Sequence, residues 1–230
     1  MTDLRPRRSA LYMPSSNEKA LEKAKGIPAD ALIFDLEDAV APDAKPSARL
    51  NAVAAARSGE YGRREITIRC NGLDTQWGAD DLAAAATSGV AAVVIPKINS
   101  VDELDEVSRR LTAAGAPDAL GIWAMVETPT AIFNVRAIAA HPRVATLVMG
   151  TNDLAKELRA TQVRGRAPLA PHLATALLAA READKVILDG VFNDVKDLEA
   201  FRDECVQGAQ TSLQMSTCPG WMRVLPSKPI

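Results

Sequence analysis

Cysteine and histidine are scarce in this chain and an excess of positive charge is missing, and these absences narrow the classes of function. The three cysteines, Cys70, Cys205 and Cys218, form no CxxC and no paired spacing. That usage excludes a disulfide scaffold and a zinc knuckle and is expected of a reducing compartment. The two histidines, His141 and His172, lie in "AHPRV" and "APHLA" and read as surface or capping residues. A formal net charge of -2 supplies no concentrated positive field for nucleic acid or a membrane surface. No stretch approaches the roughly 20 apolar residues of a membrane span, and "MTDLRPRRSALYMP" has no apolar core of signal-peptide length. The expectation is a cytoplasmic protein with no nucleic-acid or membrane partner.

What is present is an ordinary globular composition: 230 residues, 47% hydrophobic and 24% charged. A chain of this size buries roughly 70–75% of its unfolded surface. Seven short apolar runs alternate with longer Ala-rich segments of helical period. The strand candidates are Ser9–Pro14, Ala29–Glu37, Glu65–Asn71, Ala91–Lys97, Leu120–Glu127, Val144–Gly150 and Lys185–Gly190. Between them, "SSNEKALEKAKG" opens on Ser/Asn caps and stops at Gly26, and "NSVDELDEVSRRLTAAG" begins at Asn99 or Ser100 with acids in its first turn. Near-continuous apolar strands alternating with helices indicate a parallel sheet covered by helices. The fold expected is a (β/α)₈ TIM barrel, with a doubly wound sheet as runner-up. The latter's G-x-G-x-x-G turn is missing, since the first turn reads "MPSSNEK".

In such a barrel the strands' C-terminal ends share one face, where the active site sits. Read in order, those ends carry Asp35, Glu37 and Asp38, then Arg69 and Asn71, Lys97, Glu127, and finally Asn152 and Asp153. Alternation places Thr67, Arg69 and Asn71 on one face of the third strand. It also sets Glu127 with Met125 and Trp123 on the inner face of the fifth, leaving Ile122, Ala124 and Val126 to the helices. Strands five and six are neighbours, so Glu127 and Asp153 are expected to approach. Two adjacent carboxylates repel unless a proton or cation lies between them. Oxygen ligands without His or Cys point to Mg²⁺ or Mn²⁺. Structural readings stand beside these: Asp153 as a helix cap, Glu127 as a first-turn acid, Arg69 as an ion-pair partner of Glu37 or Asp38, and Lys97 as structural or substrate-binding.

The blocks "RSALYMPSSNEKALEKAKGIPADALIFDLEDAVAPDAKPSAR", "ITIRCNGLDTQWGADDL", "VVIPKINSVDELDEV", "AMVETPTAIFNVRAIA" and "LVMGTNDLAKEL" resemble the HpcH/HpaI aldolase and citrate lyase beta subunit family, in its citryl-CoA/malyl-CoA lyase branch. The resemblance implies a Mg²⁺-dependent barrel that cleaves a 3-hydroxyacyl-CoA thioester to acetyl-CoA and a 2-keto acid. It implies Glu127 and Asp153 as metal ligands, Arg69 as the contact to substrate oxygens and the charge facing the enolate, and Glu37 and Asp38 as acids that hold waters or the arginine, with Glu37, Asp38 or a metal-bound water as the base that takes the hydroxyl proton. An aldolase acting on free 2-keto acids and a metal-binding remnant are the alternatives. The family pattern breaks after "FRDECVQGAQ". The expected division is therefore a barrel lyase domain over residues 1–210 and a divergent tail over 211–230, with the eighth unit and the lid truncated or altered. An eighth strand is sought in "AQTSLQMS" (Ala209–Ser216). A barrel short of its last helix exposes an apolar flank, so a homo-oligomer, trimer or hexamer, is expected.

Overall fold

The computed structural model describes residues 7–194 and 196–211 and the backbone of 217–219. Among the described residues the strands are β1 (Ala10–Pro14), β2 (Ala31–Asp35), β3 (Glu65–Arg69), β4 (Ala92–Ile95), β5 (Gly121–Val126), β6 (Val144–Met149), β7 (Val186–Leu188) and β8 (Thr217–Pro219). The helices are α1 (Glu18–Ala24), α2 (Lys45–Arg57), α3 (Gly78–Ala86), α4 (Val101–Ala113), α5 (Pro129–Ala140), α6 (Thr151–Glu157), α7 (Ala170–Glu182) and α8 (Leu198–Gln210).

All strand pairings are parallel, and the order is β7-β6-β5-β4-β3-β2-β1-β8. From β1 to β7 each connection steps to the next strand in the same sense, so the strand twist accumulates and the sheet curls. A doubly wound sheet must reverse its order at a switch point, and this one does not. No β7–β8 pairing occurs among the described residues, so what stands is a curled parallel α/β sheet.

The two faces carry different clusters, as period-2 alternation dictates. Ile33, Val94, Trp123, Met125, Val148 and Leu188 fill the concave interior, while Phe34, Val93, Ile122, Ala124, Val126, Leu147 and Ile187 meet the helices. The helix layer approaches closely because its inner positions are small: Ala20, Ala24, Ala48, Ala52, Ala85, Ala139, Ala176 and Ala180 are all buried.

The capping signals act where the sequence places them. Asn17 accepts from Ala20 N at the start of α1, and Ser100 forms a capping box with Glu103 on α4. Leu104, Val107 and Leu111 then bury one stripe of α4.

The eighth strand differs from the expectation. Ala209 and Gln210 end α8, residues 212–216 lie outside the described residues, and the strand that pairs with β1 is Thr217–Pro219. The Gln207 side chain binds Arg166, Thr211 N bonds to Gln207 O, and Ala209 and Gln210 continue the same α-helical ladder. Helical propagation therefore outlasts the weak alternation of that stretch. No helix among the described residues is long and apolar enough to cross a membrane.

Candidate active site

Parallel register brings the strand ends to one rim. Pro14 pairs with Asp35, and Asp35 with Arg69, while Glu127 follows β5 and Gly150 follows its neighbour β6. A cavity of about 310 Å³ opens there, lined among others by Tyr12, Asp35, Asp38, Arg69, Met125, Glu127, Gly150, Asn152 and Asp153. Three strand-end residues found by pattern, Arg69, Glu127 and Asp153, therefore do meet in space.

Glu127 is 2% exposed. Its Oε1 accepts the Lys97 backbone N–H at 2.7 Å, and its carboxylate rests against Gly150, where a Cβ would fill the space the carboxylate occupies. Thr128, not Glu127, caps α5, accepting from Ala131 N. The first-turn reading of Glu127 is thus set aside. Burial pushes its pKa to about 7; the Lys97 N–H opposes that shift, and neighbouring Asp153 adds to it.

Asp153 sits in the first turn of α6, whose N-cap is Gly150 with no side-chain cap bond. Its carboxylate is half-buried and accepts no hydrogen bond among the described residues. The capping reading fails, and an unused carboxylate faces a buried one in the same cavity. That donor set of hard oxygens fits a divalent cation such as Mg²⁺ with positions left over for other ligands. No cluster of three or more His, Cys, Asp or Glu that could hold a metal occurs among the described residues.

Arg69 is buried, and its Nε and Nη2 bind Asp35 Oδ1 and Oδ2, each at 2.6 Å. Its Nη1 lies 2.9 Å from Glu37 and 3.5 Å from Asp38. The principal partner is therefore Asp35, which the sequence reading placed at the rim without a role. A fully buried acid opposite a buried arginine pairs bidentately because neither charge tolerates the interior alone. Asp35 also accepts the backbone N–H groups of Glu37 and Ala39, so one carboxylate fixes both the arginine and the turn after β2. With Asp35 already neutralising Arg69, the attraction of Arg69 for Glu37 does not offset burial, and the Glu37 pKa rises to about 8. Asp38 is 70% exposed and lines the cavity, whereas Glu37 lies behind Arg69.

Two predicted residues sit differently from the pattern. Lys97 adopts the left-handed region (φ 51°) and gives Glu127 its backbone N–H, while its side chain is exposed and lines no part of the cavity. Asn71 leaves the inner face: its amide bonds to Asp81 and Leu36 O and accepts from Lys45. The strand ends at Arg69, so alternation no longer governs Asn71.

Two contributors went unseen in the sequence. Lys45 is buried, and its Nζ donates to the carbonyls of Leu36 and Glu37. A lysine opening a helix is unfavourable toward the helix dipole, and that misfit was the available signal. Tyr12 lies beneath Arg69, the guanidinium carbon 4.8 Å from the ring centroid, and burial raises its phenol pKa.

Comparison with known proteins agrees with this geometry. The family model described as HpcH/HpaI aldolase/citrate lyase matches residues 8–219. The chain is 48% identical over 203 residues to a (3S)-malyl-CoA thioesterase of Cereibacter sphaeroides, spanning 88% of this chain and 69% of that one. It is 32% identical over 206 residues to citrate lyase subunit beta of Escherichia coli K12, spanning 87% and 68%. Among solved structures, protein CitE from Mycobacterium tuberculosis in complex with magnesium, acetoacetate and coenzyme A is 27% identical, with a TM-score of 0.78 over 93% of this chain and 76% of that one.

Proposed function

The chain belongs to the HpcH/HpaI aldolase/citrate lyase family, and we propose that it is a Mg²⁺-dependent carbon–carbon lyase. Its substrate is a 3-hydroxyacyl-CoA of the citryl, malyl or citramalyl type, split into acetyl-CoA and a 2-keto acid. One observation carries this reading: Glu127 and Asp153 line one cavity together with the buried, pre-oriented Arg69. We assign Glu127 and Asp153 to the metal, a role supported by magnesium in the related structure. Bound there, Mg²⁺ supplies Lewis-acid polarisation and a template for substrate oxygens.

The chain's own groups do the rest. Asp38, at the cavity wall, takes the proton of the substrate hydroxyl, and the C2–C3 bond breaks. Its electron pair moves onto the thioester carbonyl as an enolate, and the proton that Asp38 took is returned to C2, which restores the Asp38 carboxylate. Arg69 supplies fixed positive charge to the developing oxyanion, held rigid by Asp35 and Glu37. The Lys97 N–H holds Glu127 in place from behind.

A second reading, hydrolysis of the same thioester, is favoured by the 48% identity to a malyl-CoA thioesterase. Among the described residues no Ser, Cys or His lines the cavity, so the hydrolytic reading takes water as the nucleophile. Incubation of malyl-CoA with enzyme and Mg²⁺ separates the two. Glyoxylate without free thiol establishes the lyase, and free thiol without glyoxylate establishes hydrolysis. Neither kind of product from malyl-, citryl- or citramalyl-CoA, with Mg²⁺ bound, refutes both.

The proposal extends to a closed barrel, with β8 completing the sheet beside β1, and to self-association through apolar residues left on the helix layer. Phe133 on α5 is 89% exposed and Leu178 on α7 is 72% exposed. Light scattering that reports a monomer at micromolar concentration counts against self-association.

A further inference from the structure

The alternation that directs Arg69 and Glu127 inward also directs Tyr12 inward. Its ring packs with the concave cluster that holds Trp123 and Met125. Tyr12 pairs with Ile33, two residues before the rim pair formed by Pro14 and Asp35. Its backbone thus lies one layer below Arg69, and only the length of the phenol brings it into the cavity lining. The Arg69 guanidinium covers the ring face, 4.8 Å from its centroid. That contact fixes the ring and leaves the hydroxyl as its free end.

The hydroxyl has no hydrogen-bond partner among the described residues, whereas its neighbours Asp35 and Arg69 are heavily committed. Asp35 holds four hydrogen bonds, and Arg69 spends Nε, Nη1 and Nη2 on Asp35 and Glu37. Arg69, Asp35 and Glu127 line the same cavity as the ring. Burial keeps the proton on the phenol against the opposing charge of Arg69, the nearby acids add to burial, and the hydroxyl is a neutral O–H donor.

Resting on the reaction proposed above, we propose that Tyr12 is a catalytic residue whose hydroxyl donates a hydrogen bond to the thioester carbonyl oxygen, beside Arg69. The same oxygen becomes the enolate oxygen in carbon–carbon cleavage and the tetrahedral oxyanion in hydrolysis. The assignment therefore holds for either bond that breaks. Tyr12 transfers no proton. It stabilises charge that appears only as the bond breaks, so its effect falls on kcat.

Tyr12→Phe tests this, because the ring and its contact with Arg69 remain and only the hydroxyl goes. Turnover of malyl-CoA with Mg²⁺ is expected to fall about a hundredfold in kcat, the cost of one oxyanion donor. KM stays within about threefold, and the melting temperature and its rise with Mg²⁺ match wild type. Calorimetric binding of acetyl-CoA with Mg²⁺ present is expected to weaken by about the same small factor as KM, two- to threefold, since its neutral carbonyl meets the same donor. Equal kcat and equal binding overturn the inference, as does a loss of kcat that merely follows a lost melting temperature. A wild type that binds acetyl-CoA without turning over malyl-CoA refutes the proposed reaction instead, and the binding ratio then decides Tyr12 alone.

Discussion

Replacing Asp35 by Asn probes the contact that organises the site. Asp35 is fully buried and accepts from Arg69 Nε and Nη2 at 2.6 Å each and from the Glu37 and Ala39 backbone at 2.9 and 3.0 Å. Asparagine keeps the shape but removes the charge and turns an NH₂ toward one of those donors. Breaking a buried ion pair from one side costs about 3–5 kcal/mol. Glu37 remains beside Arg69 and ionises once Asp35 no longer neutralises the guanidinium, which puts the expected loss near the lower end, about 3 kcal/mol. For a chain of this length that corresponds to a fall of about 6–12 °C in melting temperature. Urea unfolding at pH 7, followed through buried Trp123, reads the change as a shifted midpoint at constant slope. A cycle with Arg69→Gln should show the double variant losing much less than the sum of the singles. A loss below about 1 kcal/mol, the range of solvent-screened pairs, refutes the account of Arg69 as a buried charge held by Asp35.

The pH dependence follows from Glu37. Its carboxyl titrates near 8 in the native chain against an ordinary 4.5. The native state therefore holds a proton that the unfolded state has released: stability from this group is full below about pH 4.5 and is lost as pH rises through 8. Denaturation between pH 5 and 8 should show that decline, to which Glu127 near 7 adds, and Glu37→Gln should reduce its slope; an unchanged slope contradicts the assignment. Gly150→Ala places a methyl where the Glu127 carboxylate lies, at a backbone φ of -87° that alanine tolerates. A loss of about 1–3 kcal/mol from overpacking is expected together with lost stabilisation by Mg²⁺, and a fully active variant would show that Glu127 need not sit there. Lys97→Gly keeps the N–H that binds Glu127 and relieves a left-handed lysine. Activity within about twofold of wild type is expected, and a collapse in substrate binding would return the role to the side chain.

Local physics determined most of the frame in advance. Strand alternation is set by the period of two, so the inner face of Trp123, Met125 and Glu127 was readable one strand at a time. The caps at Asn17 and Ser100 were readable because a side chain there bonds a backbone N–H within three residues. The meeting of Glu127 and Asp153 needed only the rule that successive parallel strands lie side by side. What the sequence could not determine are contacts whose partners are distant in the chain and whose residue types have ordinary local uses. Asp35 reaches across 34 positions to Arg69, Gly150 yields its space to Glu127, and Lys45 turns inward onto two carbonyls. Lys97 serves through its backbone and not its charge. Residue 71 was misassigned because alternation stops where β3 stops. Periodicity tells each side chain which face it takes, but only the register between strands tells it which neighbour it meets.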